Sequence, residues 1–184
     1  FYFFLELKTK TKLIGFGALL LTILYTLPFF PHRKNMRNWS GVKIYLVAIA
    51  WVGVTVLLPV INADVDFSII VILKCVQRFI LVFVLMLIFE IIDLQFDEKY
   101  LETIPQKLGI KKTKLLSCFL ILVFLSLEYF KPNITLNQFV VTFFVALILG
   151  LFTYFANLKR NKYYSSFWVE SVPFFWLVLA LIFN

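Results

Sequence analysis

Long runs of apolar residues alternate with short polar segments along the whole chain. Most runs have the length that a helix needs to cross a bilayer, about 17 to 25 residues. Apolar residues occupy consecutive positions, whereas the strands of a membrane β-barrel alternate apolar and polar residues. We therefore predict helical spans, six in number, over residues 13–30, 42–62, 68–92, 114–130, 135–157 and 167–184.

Composition supports an integral membrane protein. The chain is 62% hydrophobic, whereas a soluble domain has about 45–50% apolar residues. The predicted fold class is an all-α polytopic membrane helix bundle, and we expect residues 1–184 to form a single transmembrane domain. The apolar opening FYFFL resembles the end of a further span, so we expect that an upstream portion of the protein precedes this sequence.

The net charge is +8, which in a soluble protein would suggest nucleic acid as a partner. Here basic loops account for it, because lysine and arginine concentrate in the cytoplasmic loops of membrane proteins. Segments 31–43, 93–114 and 158–166 carry twelve lysines and arginines, against four in the segments of the opposite side. We predict that the first group is cytoplasmic, and we expect no nucleic-acid partner.

Three carboxylates close the third predicted span in the sequence FEIIDLQFDEKY. If residues 68–97 form one helix, Glu90, Asp93 and Asp97 lie within about 60° of one another on a wheel of 100° per residue. The same stripe continues into the span through three apolar side chains, Met86, Phe83 and Phe79. One face of the helix is therefore apolar in the membrane and acidic at its end.

Adjacent carboxylates repel one another unless a cation compensates them. Mg²⁺ takes oxygen ligands, usually one or two protein carboxylates together with substrate phosphates. We interpret Glu90, Asp93 and Asp97 as candidate Mg²⁺ ligands for a diphosphate whose apolar tail follows the stripe upward. Nearby cations can stabilise the diphosphate leaving group, and the candidates are Arg33, Lys34 and Lys107. The alternative is a solvated helix end whose acids pair with neighbouring lysines.

The pattern E-x-x-D-x-x-x-D at Glu90, Asp93 and Asp97 resembles the second aspartate-rich motif of the UbiA superfamily of intramembrane prenyltransferases. The following Thr103–Gly109, TIPQKLG, is similar to a T-[LI]-P-x-x-[LI]-G stretch of that family. The basic segment Leu27–Lys34 is similar to the loop between the family's fourth and fifth helices. By this resemblance the chain is a divergent bacterial member that lies in the inner membrane, and it corresponds to helices four to nine of a nine-helix fold.

The resemblance implies Mg²⁺-dependent transfer of an isoprenyl group from an isoprenyl diphosphate to an aromatic or other lipophilic acceptor in the membrane. In the family the apolar side chains line a prenyl tunnel, the role expected here for Phe79, Phe83 and Met86. The sequence departs from the family at two points. Glu90 replaces the usual first aspartate, and the first motif, N-D-x-x-D-x-x-x-D, does not occur in this sequence. We therefore expect this chain by itself to be inactive.

Two other classes of function remain open. A non-catalytic multi-pass membrane protein, such as a divergent relative or an accessory subunit, would show the same spans and basic loops. A small transporter could use the acids to bind a coupling cation. Transporters usually place such groups near the bilayer midplane, whereas these three lie at the end of a span.

Overall fold

The chain is built from helices joined by short connections. The computed structural model describes residues 7–26, 41–97, 101–132, 134–161 and 163–183, and within these ranges no residue lies in a β-strand. The all-α prediction is confirmed at this level. The α-helices are α1 Thr9–Thr26, α2 Lys43–Val52, α3 Leu58–Asn62, α4 Ile69–Asp93, α5 Ile104–Leu108, α6 Ile110–Ser126, α7 Leu136–Phe155 and α8 Val172–Ile182.

Five helical segments are long and apolar enough to cross a membrane, by length and composition. They are Lys43–Asn62, Ile69–Asp93, Ile110–Phe130, Leu136–Phe155 and Tyr164–Ile182. Each corresponds to one of the predicted spans. The prediction of a protein with membrane-spanning helices is therefore supported for five of the six segments.

The remaining predicted span, 13–30, corresponds in part to α1. This helix opens with the polar sequence TKTK and is not among the five apolar segments. The last four residues of the predicted span, 27–30, lie outside the described residues, as does the opening FYFFL. The six-span and nine-helix arrangements stay predictions.

The structure differs from the sequence analysis in one helix assumption and in the start of one span. The wheel assumed a helix through Asp97, but α4 ends at Asp93. The fourth predicted span was placed at residues 114–130, whereas α6 already begins at Ile110. The prediction followed the apolar residues, and the first turn of α6 is basic, so the helix extends beyond the apolar run.

A π-helical segment, Gly53–Leu57, interrupts the Lys43–Asn62 span. It lies just upstream of Pro59, which has no backbone N–H to donate to the carbonyl four residues earlier and whose ring crowds that carbonyl. The widened turn instead pairs the Leu58 N–H with the Gly53 carbonyl, five residues back. The proline is thereby accommodated inside an apolar span without a break.

The last span repeats this arrangement. Its first part is a π-helical segment, Tyr164–Val169, and Pro173 stands four residues after Val169. The Glu170 N–H donates to the Ser165 carbonyl at 3.2 Å, again five residues back. Widened helical turns therefore precede a proline in two different spans.

The chain divides into two compact units, Phe1–Val82 and Phe83–Asn184, and α4 contributes to both. In the first unit α1 packs against α2, α3 and the π-helical segment between them. The buried Thr11 hydroxyl donates to the Asn62 side-chain oxygen at 3.2 Å. Lys8 forms an ion pair with Asp64, so the start of α1 is tied to the end of α3.

In the second unit α6 packs against α7, α7 packs against α8, and the short α5 packs against α6. The fully buried Phe124 of α6 meets Trp176 of α8 edge to face, with ring centroids 5.8 Å apart. Two buried hydroxyls of α6, on Thr113 and Ser117, donate to carbonyls of the preceding turn. These hydrogen bonds let polar side chains lie in an apolar interior at little cost.

Candidate functional site

The acidic cluster lies at the C-terminal end of α4. Glu90 and Asp93 belong to its last turn, and Asp97 follows after a turn over residues 94–96. The Asp93 carbonyl accepts hydrogen bonds from the N–H groups of Phe96 at 2.7 Å and Asp97 at 2.9 Å. The second of these is a helical i to i+4 bond. Asp97 therefore keeps one turn of helix-like geometry although the helix has ended.

Glu90 is buried, with only 3% of its surface exposed. Its Oε2 accepts a hydrogen bond from the backbone N–H of Ile104 at 3.2 Å. Ile104 is the first residue of α5, and the N–H groups at the start of a helix have no partner within the helix. A carboxylate at this end is also favoured by the helix dipole. One oxygen of the buried Glu90 carboxyl group thus has a hydrogen-bond donor within the chain itself.

The helix that Glu90 contacts, α5, has only five residues, and its flanking sequence defines it. Thr103 is the N-cap, and its backbone N–H donates to the Gln106 side-chain oxygen at 3.0 Å. Pro105 lies in the first turn, where no intrahelical donor is needed. Gly109 ends the helix at φ 79° and ψ 156°, a conformation that is essentially confined to glycine.

A second contact joins α5 to the acidic cluster. The Gln106 Nε2 donates to the backbone carbonyl of Asp97 at 3.4 Å. Together with the bond from Ile104 to Glu90, it brings the Thr103–Gly109 segment against the end of α4. The sequence indicated both segments but not this contact. The threonine, proline, glutamine and glycine spacing is a capping signal from which α5 could have been predicted.

Asp93 and Asp97 remain half-buried at the edge of the cluster. Among the described residues, no group of three His, Cys, Asp or Glu side chains is placed to hold one metal ion. Mg²⁺ commonly takes only one or two protein carboxylates, with phosphate and water oxygens completing its coordination. The donor set of Asp93 and Asp97 fits such a half-site. The metal-ligand prediction for Glu90, Asp93 and Asp97 stays a prediction.

Of the three predicted diphosphate-binding residues, Lys107 is described. It lies on α5 and forms an ion pair with Glu102 at 2.6 Å, and both side chains are about half exposed, at 55% and 54%. Exposed pairs of this kind contribute about 0–1 kcal/mol, so the Lys107 ammonium can exchange Glu102 for another anion at small cost. Arg33 and Lys34 lie outside the described residues.

The three apolar residues predicted to line a prenyl tunnel all lie on α4. Phe83 is buried, whereas Phe79 and Met86 are half-buried. Phe83 and Met86 belong to the second unit, one to two turns above Glu90 along the helix. Their side chains are therefore continuous with the acidic end of α4. The tunnel itself stays a prediction.

Compared with known proteins, the chain matches no family model, no curated protein and no solved structure. The resemblance to the UbiA superfamily therefore rests on the sequence alone, on the acidic motif, Thr103–Gly109, the basic segment Leu27–Lys34 and the pattern of spans.

Proposed function

We propose that this chain supplies the second aspartate motif of a UbiA-like intramembrane prenyltransferase. In this proposal Asp93 and Asp97 bind the Mg²⁺ of an isoprenyl diphosphate. The observation that supports it most is the hydrogen bond from Ile104 to Glu90. This bond links the two segments that resemble the family, the acidic motif and Thr103–Gly109. Two segments that resembled the family only by chance would not need to be in contact.

In such a site, each group of described residues has its own role. Asp93 and Asp97 are half-buried carboxylates at the end of a span, where a diphosphate can approach from water while its isoprenyl tail remains in the membrane. Lys107 neutralises diphosphate charge once it leaves Glu102. Phe83 and Met86 provide an apolar surface for the tail. Bound Mg²⁺ would stabilise the negative charge that develops on the departing pyrophosphate.

Glu90 has a different position in this proposal. One of its oxygens already accepts the Ile104 N–H, so it holds the Thr103–Gly109 segment, and with it Lys107, beside the two aspartates. A direct metal contact by Glu90 would compete with this hydrogen bond. We therefore assign the metal to Asp93 and Asp97 first.

The orientation of the site is part of the proposal. The twelve lysines and arginines of the three basic loops, against four on the other side, favour an acidic cluster on the cytoplasmic face of a bacterial inner membrane. A cysteine placed at the exposed Gln95 would then react with a membrane-impermeant maleimide only after the cells are opened. Labelling in intact cells would show that the acidic cluster lies on the opposite, non-cytoplasmic face.

The test of function is Mg²⁺-dependent binding of geranyl diphosphate by the full-length protein in nanodiscs. Asp93→Asn and Asp97→Asn should each weaken binding at least tenfold, and removal of Mg²⁺ should have the same effect. Asp64→Asn, which removes a carboxylate from the other unit, is the matched control and should bind as the unaltered protein does. Binding that is independent of Mg²⁺, or unchanged in both aspartate variants, would overturn the proposal.

A non-catalytic multi-pass membrane protein is the second candidate. It is favoured by the absence, among the described residues, of three metal-binding side chains in one group. In that case the acidic end of α4 serves to anchor α5. The same assay separates the two candidates, because this one requires that no isoprenyl diphosphate binds.

A further inference from the structure

Four basic side chains gather at one end of the second unit. Lys111 and Lys112 lie in the first turn of α6, and Lys159 and Arg160 follow the end of α7. The two helix ends are joined by Lys114, whose Nζ donates to the carbonyl of Tyr154 at 2.6 Å. We call Lys111, Lys112, Lys159 and Arg160 the basic patch.

In the part of the chain that the structure describes, no ion pair neutralises the basic patch. All four side chains are exposed. Within the described ranges, the ion pairs of the second unit belong to Lys107 and Lys131 instead. Like charges that lie close together destabilise a fold unless counter-ions offset them. The N-terminal end of α6 adds partial positive charge beside Lys111 and Lys112. This end of the unit therefore attracts anions from outside the chain.

Arg160 is held rigidly within the patch. Its Nε donates to the Phe155 carbonyl at 3.1 Å, and its guanidinium lies 5.2 Å from the Tyr164 ring centroid and 5.8 Å from that of Phe155. These contacts fix the side chain while using only one of its nitrogens. A guanidinium placed in this way can bind a phosphate through its remaining N–H groups, with little loss of side-chain entropy.

Exposed aromatic side chains lie beside the patch. Tyr154 and Phe155 end α7, and Tyr163, Phe167 and Trp168 begin the next span. Aromatic residues collect at the membrane–water interface, where the ring meets the acyl chains and the polar edge meets the headgroups. The basic patch is thereby placed at the level of the lipid phosphates, next to rings that can contact the upper acyl chain.

We propose that Lys111, Lys112, Lys159 and Arg160 form a binding surface for the phosphate headgroup of an anionic phospholipid. The partner is a lipid rather than a soluble phosphate because the neighbouring aromatic rings add apolar contact that only a lipid can use. Each basic residue near an anionic membrane surface adds to the attraction for the lipid headgroups. This surface is separate from the acidic cluster, and the proposal does not depend on prenyl transfer.

The test measures binding of phosphatidylglycerol to the purified full-length protein in detergent, by native mass spectrometry and by the rise in thermal unfolding midpoint. Phosphatidylcholine and inorganic phosphate serve as the comparison ligands. The triple variant Lys111→Gln, Lys112→Gln and Lys159→Gln leaves the Arg160 contacts intact, so its fold should persist. We expect it to bind phosphatidylglycerol at least tenfold more weakly, and we expect the unaltered protein to bind less tightly as salt rises.

The charge-matched control is the triple variant Lys8→Gln, Lys10→Gln and Lys12→Gln in the other unit, which should keep the affinity of the unaltered protein. Equal losses in the two triple variants would show general charge attraction and overturn the proposal. Retention of phosphatidylglycerol binding by the patch variant would overturn it as well. If inorganic phosphate bound as tightly as phosphatidylglycerol, the basic patch would be a site for soluble phosphate, and the lipid proposal would be overturned.

Discussion

The carboxylate of Glu90 and the backbone N–H of Ile104 are joined by a hydrogen bond of 3.2 Å across fourteen positions of the chain. A buried acid is thus matched to the unpaired donor at the start of a five-residue helix. Neither group would be stable there alone, because a buried carboxylate and a buried N–H each need a partner. The pair fixes the Thr103–Gly109 segment to the end of α4.

Two replacements of Glu90 should distinguish the contribution of its hydrogen bond to stability from that of its carboxyl group. Glu90→Ala removes the acceptor and should cost about 2 kcal/mol of unfolding free energy. Glu90→Gln keeps a side-chain oxygen for the Ile104 N–H and should cost about half as much. Thermal unfolding in detergent gives the ranking, and hydrogen exchange at Ile104 should rise in the alanine variant alone. Equal exchange in both variants would argue against this contact.

Gly109 should be the most sensitive glycine of the second unit. At φ 79° and ψ 156° any other residue is strained by about 1–3 kcal/mol. A Cβ at this position would meet nothing within 4 Å, so the cost of Gly109→Ala is one of backbone conformation alone. We expect a lower unfolding midpoint.

Gly150→Ala is the matched control for Gly109→Ala. Gly150 lies within α7, and an added Cβ there also meets nothing within 4 Å. Its backbone is helical, so alanine should raise the stability by about 0.5–1 kcal/mol. If Gly109→Ala raised the unfolding midpoint as Gly150→Ala does, the strain at Gly109 would be excluded.

A buried ion pair ends the Ile110–Phe130 span. The Lys131 Nζ lies 2.7 Å from the Glu128 Oε2, and the two side chains are only 12% and 2% exposed. Loss of one partner of a buried pair costs about 3–5 kcal/mol, so Lys131→Met should strongly destabilise the protein. Chemical or thermal unfolding of the purified protein measures the loss.

The exposed pair of Lys107 and Glu102 provides the comparison for Lys131→Met. The ammonium of Lys107 is mostly in water, and Lys107→Met should change the unfolding free energy by less than about 1 kcal/mol. A similar loss in both lysine variants would mean that burial does not set the strength of these pairs.

The ion pair of Lys8 with Asp64 predicts a pH effect with a definite sign. Lys8 donates a hydrogen bond to the Asp64 carboxylate and holds the pKa of that carboxyl below its ordinary value. A lowered pKa in the folded state contributes stability that is present above roughly pH 4 and is lost as the pH falls through the folded pKa. The stability difference between Asp64→Asn and the unaltered protein should therefore shrink below pH 4. A difference that grew on acidification would contradict the ion pair.

The spans were predictable because a run of about 20 apolar residues has few stable alternatives in water or lipid. Their ends were less so. The first five residues of α6 include Lys111, Lys112 and Lys114, which composition alone assigns to a loop. Lysine can nevertheless extend its stem along a helix and leave the ammonium at the membrane surface. At the end of α4, the wheel assumes a helix that continues through Asp97, whereas the helix ends at Asp93.

The candidate site was predictable as a set of residues and not as an arrangement. The spacing of Glu90, Asp93 and Asp97 indicated a common helical face, and Thr103–Gly109 indicated a cap and a turn. The bond from Ile104 to Glu90 joins a side chain to a backbone N–H fourteen residues away. Helical periodicity relates residues only three or four positions apart, so it could not reveal that contact.

The two π-helical segments upstream of Pro59 and Pro173 also affect which side of each span faces lipid. A turn closed five residues back, as between Leu58 and Gly53, holds one residue more than an α-helical turn. The side chains beyond it are rotated by about 100° relative to an uninterrupted α-helix. Loss of one residue from Gly53–Leu57, with the turn closed as an ordinary α-helical turn, would therefore leave Val60 and Ile61 facing their present neighbours, whereas loss of one residue from an α-helical part of the span would rotate the side chains beyond it by about 100°. In these two spans, the extra residue of the π-helical turn sets the direction in which the following side chains point.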